Sequence, residues 1–150
     1  MTVFTTFHVP GVPQTAGSHR SFNHARTGKV VTVHDNPKTK AWMKTVAKAA
    51  RAAWQGAPLS GALRLAAKFY LPRPKSHFGT GRNADKLKPS APQFPIVSRD
   101  DTDKLHRAVQ DACKGILYGD DGQVVDIHSR KRYGTPRAEI TLEAVHDDEG

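Results

Sequence analysis

Val3, Thr5, Phe7 and Val9 alternate with Phe4, Thr6 and His8, the period-two rhythm of a strand with one face turned to a core, and Pro10-Gly11 ends it. Pro13 to Arg26 is polar and reads as a loop. Lys29 to Val33 is dense in β-branched residues and predicts a short second strand, after which Asp35-Asn36-Pro37 starts a helix with Pro37 in its first turn. From Pro37 to about Trp54 the pattern is helical: Trp42, Val46, Ala49, Ala50 and Ala53 share one side, and Lys40, Lys44, Lys48 and Arg51 share the other.

Leu63, Leu65, Ala67, Phe69 and Leu71 alternate with Arg64, Ala66, Lys68 and Tyr70 in a third strand, stopped by Pro72-Arg73-Pro74. The segment 73–95 is rich in Gly, Pro, Ser and Asn and carries Arg73, Lys75, Arg82, Lys86 and Lys88, so it is expected to be a mobile basic loop, either a DNA-contacting flap or plain disorder. Thr102 reads as the N-cap of a helix whose apolar face is Leu105, Ala108, Val109, Ala112, Cys113 and Ile116. Gly119-Asp120-Asp121-Gly122 is a turn, Gln123 to Arg132 a strand with Val125 and Ile127 inward, and Ala138, Ile140, Leu142 and Ala144 mark a last strand. The order β-β-α-β, loop, α-β-β predicts an α+β (α/β) fold, a small mixed sheet with two main helices packed on it. It forms a single domain over 1–145, followed by an acidic tail at 146–150.

Composition narrows the partners. The chain has 150 residues, the size of one domain, and its 37% apolar content is periodic enough to build a core. Lys and Arg number 23 against 14 acids, a net charge of +9, and Asp147, Asp148 and Glu149 crowd the tail, so the folded body is more basic still. A polyanionic partner is implied. The stripe of Lys40, Lys44, Lys48 and Arg51 has no neighbouring acid between Asn36 and Arg64 to relieve its repulsion. Phosphates could supply the counter-charge, and a solvated lysine face is the competing reading. The lone Cys113 cannot form an internal disulfide and reads as a buried, inert thiol. The first residues lack a signal-peptide pattern and no stretch is long and apolar enough for a membrane span, so a cytoplasmic protein is expected. The eight histidines show no HxH, HExxH or Cys-paired spacing, which argues against zinc. His106 reads as an exposed helix residue.

Asp101 and Asp103 stand where a loop enters a helix, and Asp121 stands in the turn after that helix. If the three converge, their hard oxygens suit Mg²⁺. The competing reading makes Asp103 a helix-dipole partner and Asp120-Asp121-Gly122 a simple turn. From the residues alone both remain open.

The run Arg99-Asp100-Asp101-Thr102-Asp103-Lys104-Leu105-His106-Arg107, then Asp111-Ala112, then Asp120-Asp121-Gly122-Gln123-Val124-Val125, resembles the signature of RusA-type Holliday junction resolvases. That family shows D-x-D-N-L-x-K-x-x-x-D-A-L, a short gap and D-D-x-Q-V, with a basic strand behind. The likeness covers roughly residues 96–132, and weaker similarity extends to the helix start at 36–42 and the strand 63–71. The resemblance implies a small α/β domain that forms a homodimer, requires Mg²⁺ or Mn²⁺, and cuts branched DNA, as in phages and the bacteria they infect. It implies metal binding by Asp101, Asp103 and Asp121, and puts Arg107 where the family has a lysine. Departures from the pattern include Lys104 in place of Asn and, in place of the lysine, Arg107, which cannot readily give up a proton.

On this reading the chain is a Mg²⁺-dependent endodeoxyribonuclease that resolves four-way junctions by paired nicking, with no small-molecule cofactor and no membrane partner. Asp101, Asp103, Asp121 and Arg107 would carry catalysis, and Lys40, Lys44, Lys48, Arg73, Lys75, Lys104 and Lys131 would contact DNA. For Arg107 an i,i+4 salt bridge with Asp103 is the bland alternative. A two-fold dimer matches the two equivalent cuts of a junction, with Pro10 to Arg26 and the first helix as candidate faces. The alternatives are a non-catalytic branched-DNA or single-strand DNA-binding protein and a fork or flap nuclease.

Overall fold

A computed structural model describes residues 2–17, 19–23, 28, 30–34 and 37–146. The elements in chain order are β1 (Thr2–Pro10), β2 (His19–Asn23), β3 (Val30–His34), α1 (Pro37–Ala53), β4 (Leu63–Leu71), α2 (Thr102–Cys113), β5 (Val124–Tyr133) and β6 (Arg137–Ala144). Four strands form one mixed sheet in the order β1-β6-β4-β5, with β4 and β5 parallel and the other pairs antiparallel. The fold is the expected α+β arrangement with two main helices.

Alternation along each strand decides what faces the helices. Phe7 and Val9 of β1, Ala138, Ile140 and Leu142 of β6, and Leu63, Leu65, Ala67 and Phe69 of β4 are buried on one side, where Trp42, Val46 and Ala50 of α1 and Leu105, Ala108, Val109 and Cys113 of α2 meet them. The parallel β4-α2-β5 unit forces a long crossover, so α2 begins near the end of β4 and β5 runs back beside α2.

The structure corrects several expectations. The stretch 13–26 is not all loop: β2 pairs with β3 in a separate two-stranded ribbon, His19 opposite His34. Thr102 is the first helical residue and Asp101 holds the N-cap position, with no side-chain capping bond. Val125 and Ile127, expected inward, are 55% and 57% exposed. The pairing of β4 with β5 shifts register at Leu63/Arg64, and beyond it Ile127 lies on the helix-bearing face at the open edge of the sheet, where no helix covers it. The helix start at Asp35-Asn36 and the tail acids Asp147, Asp148 and Glu149 lie outside the described residues.

The segment 73–95 follows a defined course. Short 3-10 turns at Lys75–His77 and Gly81–Asn83 are tied together by bonds from Gly79 N to the Lys86 carbonyl and from Lys88 N to the His77 carbonyl. Arg73 Nη1 donates to the Pro92 carbonyl at 2.8 Å, pinning the far end of the segment to the end of β4. No helix among the described residues is long and apolar enough to cross a membrane.

Candidate active site

The C-terminal ends of the parallel strands β4 and β5, where α/β sheets commonly bind ligands, lie beside the N-terminus of α2. Lys131 near the end of β5 donates to the carbonyls of Asp100 at 2.8 Å and Val97 at 3.4 Å, fixing the turn that delivers Asp101. From the other side, Ala16 N donates to the Lys104 carbonyl and Thr39 Oγ1 to the Thr15 carbonyl, so the segment 12–17 stitches the start of α1 to the start of α2. A cavity of about 330 Å³ opens there, with Gln14, Lys38, Arg99 and Asp100 in its walls.

Asp101 does not spend its carboxylate on capping. Its nearest charged partner is Lys104, Nζ to Oδ2 3.8 Å, and both side chains are part-exposed, so the pair is weak in water. Asp103 lies exposed in the first turn of α2, where the helix dipole favours a negative charge. Arg107 is exposed one turn on. Among the described residues it forms no ion pair with Asp103, and its guanidinium lies against Gly17, whose φ of +103° suits glycine.

Asp121 stands at the other end of the helix. Its Oδ2 is 3.7 Å from Nζ of Lys114, the C-cap residue of α2. A 12-residue helix is about 18 Å long, and Asp101 with Asp103 lies at its first turn while Asp121 lies beyond its last. No three acidic, histidine or cysteine side chains among the described residues converge on a metal position.

The two adjacent acids of the turn nevertheless differ in kind. Asp120 is structural: its Oδ1 accepts from Gly122 N at 2.8 Å, and Gln123 closes a capping box by accepting from the Asp120 and Gly119 amides. Gln123 also donates to the carbonyls of Leu59 and Gly61, anchoring the turn. Asp121 is left with a buried Oδ1 that has no hydrogen-bond partner, an uncommon state for a carboxylate oxygen and one that an external cation would relieve.

His106 was expected to be exposed and is 4% exposed instead. Its Nε2 lies 2.9 Å from Gln110 Oε1, which only accepts, so Nε2 carries the proton and Nδ1 accepts from the Ser129 hydroxyl at 2.6 Å. Burial pulls the imidazole pKa down, and the Gln110 bond opposes the shift in part. The neutral ring therefore serves as a bolt between α2 and β5. Its position three residues before Val109 and seven before Cys113 puts it on the buried stripe, a signal present in the sequence. Cys113 is buried as expected, and loss of solvation pushes its thiol up to about 12, so it is inert.

Of the basic residues, Lys40, Lys44 and Lys48 stand exposed along α1 with no acidic partner among the described residues, and Lys75 is exposed. Arg73 and Lys131 are drawn into the fold by backbone carbonyls, and Lys104 leans on Asp101.

Comparison with known proteins relates the chain to a protein of Bacillus subtilis and to a nuclease family. The chain is 30% identical over 140 residues to the uncharacterized protein YqaN of Bacillus subtilis (strain 168), covering 93% of this chain and 95% of that protein. Residues 10–143 match the family described as endodeoxyribonuclease RusA, a span that takes in both acidic loci, the connecting helix and most of the sheet. The chain belongs to the RusA endodeoxyribonuclease family.

Proposed function

We propose that this protein is a divalent-metal-dependent endonuclease of the cytoplasm that nicks four-way DNA junctions in pairs, and that it does so as a homodimer whose acidic sites are shared between chains. The observation that carries the shared site is the opposed placement of Asp101 with Asp103 and of Asp121 at the two ends of α2. β5 is an edge strand, and its middle exposes Val125 and Ile127, an apolar edge of the kind that invites pairing with another chain. Two β5 strands paired antiparallel about Asp126 would carry the turn that holds Asp121 of the partner subunit toward the Lys131 end of β5, where Lys131 holds the Asp100 carbonyl. On this proposal the interface is β5 rather than the first helix or the segment from Pro10 to Arg26.

Asp101 and Asp103 of one chain with Asp121 of the partner subunit would then hold Mg²⁺ or Mn²⁺. Such an ion, when bound, neutralises charge on the phosphate and lowers the pKa of water. The cut joins a water oxygen to phosphorus and breaks the bond to the 3′ oxygen. Arg107 adds fixed positive charge on the polar face of α2, one turn beyond Asp103. A two-fold pair of sites suits two symmetric nicks. The lysines of α1 supply backbone contacts to the arms.

The test is nicking of a synthetic four-way junction against linear duplex and flap substrates, in Mg²⁺ and in Ca²⁺. Mg²⁺-dependent paired nicks confined to the junction are expected, together with loss of nicking and retained binding in Asp101→Asn. Equal cleavage of flaps, or binding with no cleavage in any divalent metal, would overturn the assignment.

A further inference from the structure

At the β4-β5 end of the sheet, the connecting segment folds back to make a second pocket of about 630 Å³, within the roughly 300–1,000 Å³ range of small-ligand sites. Arg73, Phe78, Gln93 and Phe94 come from the segment, and Arg132 and Tyr133 come from the end of β5. We propose that this pocket receives one nucleobase unstacked from the branched DNA. The proposal rests on the junction-nuclease assignment above.

Three features point to a base. First, the walls interleave cations with rings: the Arg73 guanidinium lies 4.4 Å from the centre of the Tyr133 ring, and that of Arg132 lies 5.0 Å from the centre of the Phe94 ring. Rings and guanidinium planes are the surfaces on which unpaired bases stack. Second, Phe94 is 43% exposed although Arg132 covers one side, so the core does not account for an aromatic residue at this position. Third, among the described residues no acid lines the pocket, which therefore favours an aromatic group attached to an anionic backbone over an amine or a metal ion. The Gln93 amide offers both a donor and an acceptor to a base edge.

The walls are braced. Arg73 is anchored on the Pro92 carbonyl, His77 packs edge-on against Tyr133 at 5.4 Å, and Gly134 N donates to the Leu71 carbonyl. A Cβ on Gly134 would lie 2.9 Å from the Tyr70 ring, so the turn closing the pocket needs glycine. Arg132 and Tyr133 follow Lys131 directly, so the pocket sits about 3–7 Å along β5 from the residue that holds the Asp100 carbonyl. A base next to a branch point is the one least costly to unstack.

The experiment places a single 2-aminopurine at successive positions around the branch point of a four-way junction and follows its fluorescence on binding of the full-length protein in Ca²⁺. The expected result is a rise at one position. That rise should vanish in Phe94→Ala, with binding weaker by about 5- to 150-fold, and persist in Phe94→Tyr. An abasic nucleotide at that position should weaken binding to the wild type and leave the Phe94→Ala complex unchanged. A bound and nicked junction with no rise at any position, or a rise that survives Phe94→Ala, overturns the base pocket and leaves the nuclease assignment standing. A wild-type protein that neither binds nor nicks the junction overturns both.

Discussion

Lys131 Nζ donates a 2.8 Å hydrogen bond to the carbonyl of Asp100, so a basic residue of β5 holds the backbone one residue before Asp101. The ammonium also reaches the Val97 carbonyl at 3.4 Å, and the side chain is part-buried. Its role is to position the acidic turn.

Lys131→Met keeps the aliphatic stem and removes the donors, leaving those carbonyls unsatisfied at a cost of about 1–3 kcal/mol. The expected outcome is a lower melting temperature and slower single-turnover nicking, with the salt dependence of junction binding unchanged. A salt slope reduced by about 0.9 would mean instead that Lys131 meets a phosphate.

The exposed stripe on α1 makes the opposite prediction. Replacing Lys40, Lys44 and Lys48 by Gln should leave the melting temperature nearly unchanged, because Trp42, Val46 and Ala50 on the other side form the packing face. Junction affinity should fall, and the log–log salt slope should flatten by about 0.9 for each lost contact. An unchanged slope would remove α1 from the DNA interface.

Much of this architecture was legible because the periodic signals were strong. The alternation in Leu63 to Leu71 and Ala138 to Ala144 identifies the two central strands, and the apolar stripe from Leu105 to Cys113 identifies α2. What escaped depends on tertiary neighbours. Val125 and Ile127 form a strand pattern, but alternation tells which residues share a face, not whether a helix reaches far enough to cover it. β2 is five residues, His-Arg-Ser-Phe-Asn, and exists through its pairing with β3, so local propensity does not reveal it. The same holds for the acids: their spacing marks both loci, while their distance apart follows from the length of α2 and the direction of β5.

His106 carries the pH prediction. Burial holds its folded-state pKa below the ordinary 6.5, so between 6.5 and that lowered value the unfolded chain binds a proton that the folded protein does not. The contribution to stability is complete above pH 6.5 and declines as the solution is acidified through the window below it. Wild-type melting temperature should therefore drop between pH 7 and 5 more steeply than that of His106→Gln, as measured by calorimetry or circular dichroism. Parallel curves for the two proteins would show that His106 titrates alike in the folded and unfolded states.

The shared site makes a prediction that a single-chain site cannot. Asp101→Asn and Asp121→Asn each remove a carboxylate charge while keeping shape, and each homodimer should lose nicking, since both of its sites would lack one ligand. Mixing the two variants under conditions that exchange subunits creates heterodimers. In these, one site combines both substitutions, and the other combines an intact Asp101 with an intact Asp121 from the other chain. Nicking of one strand should reappear, while paired nicking within one binding event should not. Asp120→Asn is the internal control: Asp120 caps the turn and leaves its neighbour's Oδ1 unpartnered, so this variant should retain substantial activity with some loss of stability. Were each site contained in one chain, no mixture of Asp101→Asn and Asp121→Asn could restore activity, because every chain would carry a broken site. A monomer in sedimentation that remains active on the junction would exclude the β5 pairing outright.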